Sequence, residues 1–151
     1  MKKWIWMLVA LLVFTALPSP GTELGELHPV SLLMVSAPEK IIRLSTDTLD
    51  HGEGETLDAA LQNLEDTTPG HLFLDTVETL ILTEQTRYLL PQLKRLLRPG
   101  AMVCIAEGEL NLEAAPEYLH THTPENRLSD TDESTPLQKL TYLEERFFLE
   151  K

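Results

Sequence analysis

The sequence predicts a single small α/β or α+β domain, with a mixed sheet of about four to five strands covered by helices. Three observations carry this expectation. Apolar runs suited to strands, at residues 30–35, 41–46, 71–83 and 101–106, alternate with stretches whose leucines recur at helical spacing. Glycine and proline mark the junctions between them. A chain of 151 residues with 42% hydrophobic content has room for one modest core.

Residues 1–21 place Lys2 and Lys3 before an unbroken apolar run from Trp4 to Phe14, then break at Pro18-Ser19-Pro20-Gly21. This is the layout of a secretory leader, and it falls short of the ~20 apolar residues that span a bilayer. Ser19 and Gly21 are small residues suited to a cut before Thr22. Cleavage is expected ahead of retention as an N-terminal anchor. Either outcome puts the remainder outside the cytoplasm, secreted or at the outer face of a membrane.

Twelve basic side chains face 24 acidic ones, a formal charge of -12, or -14 once Lys2 and Lys3 are set aside. Such a surface repels polyphosphate and anionic head groups, so neither nucleic acid nor nucleotide is an expected partner. Acidic side chains also simply keep a small domain soluble. Cys104 is the only cysteine. No intrachain disulfide can form, and its place in an apolar run marks it as a buried thiol.

Along the chain, residues 26–35 read as a largely buried strand with Pro29 near its start. Residues 37–40 form a turn and 41–46 a second strand, joined to the first as a hairpin. Residues 47–55 form a glycine-containing loop. It cannot be a phosphate-binding P-loop, because Gly54 is followed by Glu55 and Thr56 where lysine is required. In residues 56–66, Leu57, Ala60, Leu61 and Leu64 share one helical face behind an N-cap at Thr56. Thr68-Pro69-Gly70 stops that helix.

Residues 71–83 read as a strand interrupted around Asp75-Thr76. Residues 83–98 are helical in pattern, but Pro91 forces two consecutive segments, the second with Pro91 at its first position. Leu93, Leu96 and Leu97 then face the core. Lys94, Arg95 and Arg98 form the one basic cluster outside the leader, either balancing a helix C-terminus or docking an acidic partner or lipid head groups. Residues 101–106 are the most uniformly apolar strand and belong inside the sheet. A helix is expected over 112–120, starting most naturally at Pro116. Residues 123–135 are polar and acidic, as in a linker. From Thr135 a final amphipathic helix is expected, with Leu137, Leu140, Leu143 or Glu144, and Phe147 on one stripe. Phe147 and Phe148 either pack back on the domain or grip a partner.

No catalytic, cofactor or metal constellation emerges. Asp75, Glu78 and Glu107 lack partners the sequence can identify, and His120 and His122 lack a third fixed ligand.

From about Glu26 to Leu128 the chain resembles the N-terminal domain of the Ger(x)C spore germination proteins, the C subunits of germinant receptors. The opening run Glu26-Leu27-His28-Pro29-Val30 fits that family's first strand. Its glycine-leucine signature is matched by Gly52, Glu53, Gly54, Thr56, Leu57, Ala60, Leu61, Asn63 and Leu64, and the strand ending at Ile81 to Glu84 and the run from Ala101 to Gly108 complete the likeness. Thr22-Glu23 follows Gly21 where family members carry a lipobox cysteine. The resemblance implies a non-enzymatic extracytoplasmic interaction module whose partners are membrane-embedded germinant receptor subunits. A secreted small-ligand-binding protein, with the 47–55 loop and the strand ends as its pocket, is the alternative. A hydrolase using Asp75, Glu78 or Glu107 is a weaker one.

Overall fold

The computed structural model describes residues 27–151; the leader read at residues 1–21 lies outside them. In chain order the elements are β1 (Leu27–Pro29), β2 (Leu32–Ser36), β3 (Ile42–Thr46), β4 (His51–Gly54), α1 (Leu57–Thr67), β5 (His71–Phe73), β6 (Thr79–Leu82), α2 (Leu90–Leu96), β7 (Met102–Glu107), α3 (Ala115–Thr121), β8 (Asn126–Arg127), β9 (Lys139–Leu143) and β10 (Arg146–Glu150). One mixed sheet of eight strands runs β10-β9-β7-β6-β2-β3-β4, with β8 beside β7. The chain is therefore mixed α/β, as the sequence predicts, with more strands than expected.

The four central strands, β2, β6, β7 and β9, are parallel. Antiparallel strands flank them: β3 and β4 at one end, β10 at the other. The outer edge of β7 is shared, with β8 against Met102 and Val103 and β9 from Ile105 onward.

Side-chain alternation splits the interior into two cores. Leu33 and Val35, Leu80 and Leu82, and Val103 and Ile105 point to one face, where Leu57, Ala60 and Leu64 of α1 and Leu90 and Leu93 of α2 cover them. Leu32, Ile81, Cys104 and Leu140 point to the other face, under Ala115 and Leu119 of α3. Runs buried on both sides read as continuously apolar, as residues 80–82 do.

The helices begin where local chemistry dictates. The Thr56 hydroxyl accepts the Ala59 amide at 3.2 Å, a side-chain N-cap for α1. Thr83 and Thr86 form a reciprocal capping box ahead of a 3₁₀ segment, Glu84–Leu89, and α2 follows with Pro91 in its first turn. The expected break at Pro91 is thus real. Pro116 opens α3 in the same manner.

Five expectations need correction. The C-terminal amphipathic helix is instead a β-hairpin, β9 and β10, joined by Glu144 and Glu145 at φ 50° and 60°. Residues 123–135 are no plain linker: they contain β8 and the fully buried Leu128. The 26–35 run is two strands, split where the Asp47 carboxylate accepts the amides of Ser31 and Leu32. The 47–55 loop contains β4. The interruption in 71–83 is a 3₁₀ turn, Leu74–Thr76, and its first half, β5, pairs with β1 outside the main sheet.

Candidate interaction surface

A sheet end exposes a row of backbone groups, so how each edge is closed decides what the sheet can do. The β4 edge is closed by α1. Asn63 Oδ1 accepts the Glu53 amide at 2.9 Å, and Thr67 Oγ1 donates to the His51 carbonyl at 3.1 Å. The helix lies this close because β4 carries Gly52 and Gly54. A Cβ on Gly52 would stand 2.4 Å from the Ala60 carbonyl oxygen, and one on Gly54 2.5 Å from the Ala60 nitrogen. Leu57, Ala60 and Leu64 are buried, and Leu61 packs against the same core. Glu53 pairs with Arg43 across the strands at 2.6 Å. Every residue of the glycine-leucine signature thus has an architectural role.

The β10 edge is different. Among the described residues its only strand partner is β9, with Arg146 opposite Leu143 and Phe148 opposite Thr141. A two-residue hairpin makes its flanking pair hydrogen-bonded, and bonding alternates from there. The amides and carbonyls of Phe147 and Leu149 therefore point away from β9, and no group among the described residues meets them. Phe148 is 44% exposed and Leu143, on the neighbouring strand, 59% exposed.

The two phenylalanines lie on opposite faces of the sheet. Phe147 packs back: its ring lies 5.3 Å from Tyr118 of α3 and 4.6 Å from Tyr142 of β9. Phe148 is on the opposite face of the sheet and stays partly exposed to solvent.

Lys94, Arg95 and Arg98 do not converge. Lys94 donates to the Ser129 carbonyl and borders a hollow with Leu90, Pro91 and Thr131. Arg95 bonds back to the Pro91 carbonyl and lines the groove between α1 and α2. Arg98 pairs with Glu78 at 3.8 Å, beside Gly100 and His120. Three separated cations make a poor anion site.

The acids are equally dispersed. Glu78 precedes β6, while Glu107 ends β7, bound to Lys139 at 3.3 Å; the two mark opposite ends of parallel strands. Asp75 lies in the 3₁₀ turn after β5. His122 stacks on Tyr118 at 4.3 Å, whereas His120 lines the hollow beside Arg98. Among the described residues no three His, Cys, Asp or Glu side chains gather as metal ligands would. Cys104 is buried, and desolvation pushes its pKa up to about 12.

The loop that follows Leu128 is tied by Asp132. Its carboxylate accepts the Ser134 hydroxyl at 2.7 Å, the Thr135 hydroxyl at 2.9 Å and the Ser134 amide at 2.9 Å. These bonds hold its pKa down to about 2. The Thr135 carbonyl in turn accepts the Arg87 guanidinium. Beside the 47–55 segment, a hollow of about 360 Å³ is lined by Arg43, Ser45, Thr46, Leu49, His51 and Leu112.

The open edge was hidden in the sequence because its alternation, Phe147 and Leu149 against Arg146, Phe148 and Glu150, spans only five residues. Compared with known protein families, curated proteins and solved structures, the chain matches none.

Proposed function

We propose that this protein is a non-enzymatic interaction module that works outside the cytoplasm at a membrane, with membrane-embedded germinant receptor subunits as the partners its family resemblance implies. The observation that carries the reading is the asymmetry of the sheet. Asn63 and Thr67 close the β4 edge, whereas β10 presents free backbone groups beside exposed Phe148 and Leu143. Proteins manage open edges with charge, bulges or covering elements; β10 carries Arg146 and Glu150 but no covering element among the described residues, and the exposed aromatic between them suits strand addition. The leader would deliver the domain to the outer face; no helix among the described residues is long and apolar enough to cross a membrane.

The test is co-purification of the full chain from membranes of sporulating cells of the source organism. Recovery of germinant receptor subunits, reduced by Phe148→Asp, supports the module. Normal folding with no such recovery sinks it.

A second reading, a small-ligand-binding protein, is favoured by one observation: Leu49 and His51 of the 47–55 segment line a hollow together with Arg43, Thr46 and Leu112. Thermal shifts with amino acids or sugars, abolished by Leu112→Trp, would support it.

A further inference from the structure

We infer that the outer edge of β10 pairs antiparallel with the same edge of a second copy of this chain, about a two-fold axis at Phe148. The inference rests on the reading of β10 as an interaction surface and makes a second copy the occupant of its edge, so that receptor subunits would meet the paired module through the exposed face carrying Phe148 and Leu143 and not by adding a strand. The outward-facing backbone groups belong to Phe147 and Leu149, so an added antiparallel strand must set its own outward residues opposite these two.

For a second copy centred on Phe148, Phe147 of each chain meets Leu149 of the other. Each such pair exchanges both of its backbone bonds. Phe148 then faces its own counterpart, and Arg146 faces Glu150 on either side of the axis. Arg146, Phe148 and Glu150 fall in non-hydrogen-bonded pairs, where side chains approach most closely.

The strand Arg146-Phe147-Phe148-Leu149-Glu150 is thus self-complementary in charge and in shape. Sliding by two residues sets Arg146 or Glu150 against Phe148 and loses both ion pairs. A slip of one residue opposes outward groups with inward ones. The charges are also available. Among the described residues neither Arg146 nor Glu150 has an ion-pair partner, whereas Lys139 holds Glu107 and Lys151 holds Glu125. On the other face, Phe147 and Leu149 already belong to the second core, so pairing continues that core across the axis. The acidic charge of each copy opposes association at long range, but salt screens it beyond about 8–10 Å.

Cross-linking of the full chain tests this, in mild detergent if the leader is retained. Two antiparallel residues in a non-hydrogen-bonded pair stand ~4.5 Å apart at Cα, within disulfide reach. Phe148→Cys should give covalent dimers on mild oxidation, while the wild type, with Cys104 buried, gives none. Arg146→Glu or Glu150→Arg in that background should cut the yield about tenfold, and both together should restore it. A Phe148→Cys yield no higher than that of Ser134→Cys overturns the pairing, as does a double swap that fails to rescue. A chain that stays uncross-linked yet loses receptor subunits on Phe148→Asp overturns the self-pairing alone. Loss of neither property on any β10 substitution removes the interaction reading as well.

Discussion

Asn63 on helix α1 accepts the backbone amide of Glu53 on strand β4 at 2.9 Å. A side chain thereby stands in for the strand that would otherwise continue the sheet. Thr67, one helical turn on, does the same for the His51 carbonyl at 3.1 Å. Asn63→Leu should cost about 1 kcal/mol, with Thr67→Val adding a similar amount. Chemical denaturation measures the loss, and amide exchange at Glu53 should quicken more than exchange in β6.

The close approach of α1 makes a sharper prediction. A methyl group at Gly52 or Gly54 would meet helix backbone at 2.4–2.5 Å, and backbone cannot rotate away. Gly52→Ala and Gly54→Ala should each destabilise by about 1–3 kcal/mol. Gly100→Ala, with nothing within 4 Å of its Cβ, should stay within about 0.5 kcal/mol of the parent. Equal effects at all three positions in urea unfolding would remove the packing explanation.

Cys104 gives a pH dependence of definite sign. Its pKa is raised to about 12 by burial, against 9.0 for the ordinary thiol. Between these values the unfolded chain loses a proton that the folded chain keeps. Stability contributed by the buried thiol is complete below pH ~9 and falls by about 1.4 kcal/mol per pH unit above it. Cys104→Ala should flatten that part of the profile. The native thiol should also resist alkylating reagents at pH 8, reacting only as the chain unfolds.

Asp132 has the opposite sign. Hydrogen bonds from Ser134 and Thr135 lower its pKa from 3.8 to about 2. Whatever the carboxylate contributes is therefore present above pH ~4 and disappears as pH falls toward 2. An NMR titration of the Asp132 carboxyl should find its midpoint near 2. The value should return toward 3.8 in a Ser134→Ala, Thr135→Ala chain.

How far the sequence could be read follows from which signals each segment carries. Leu57, Ala60 and Leu64 recur at helical spacing behind a capping threonine, so α1 was legible to its first residue. The apolar runs of β2, β6 and β7 were legible as strands because both faces of each are buried. β4, His51-Gly52-Glu53-Gly54, has no apolar residue; it is a strand because its glycines admit a helix, a tertiary cause that no local pattern displays. Leu128 lies alone among polar residues, so only the fold reveals that it is buried. Lys94 and Arg95 are successive residues about 100° apart on a helix, so their nearness in sequence misrepresents their separation in space. Gly52, Gly54 and Asn63 stand out in the sequence, but what they do together, the closure of a sheet edge, is a tertiary relationship.

The hairpin that replaces the expected C-terminal helix leads to a last prediction. Leu140, Leu143 and Phe147 fit a helical stripe, and Glu144-Glu145 is a pair of good helix formers. In the structure those glutamates have φ of 50° and 60°, the left-handed conformation that two-residue hairpins require. Each pays about 1 kcal/mol that asparagine or glycine largely avoids. The strands prevail because Leu140, Phe147 and Leu149 complete the second core beside Tyr118, burial that an isolated helix could not match. Replacing Glu144-Glu145 by Asn-Gly should therefore stabilise the protein by about 1–2 kcal/mol, seen as a higher urea midpoint with unchanged slope. If the segment were helical, the same change would break it and lower the midpoint. The sign of the shift decides between strand and helix without any further structural measurement.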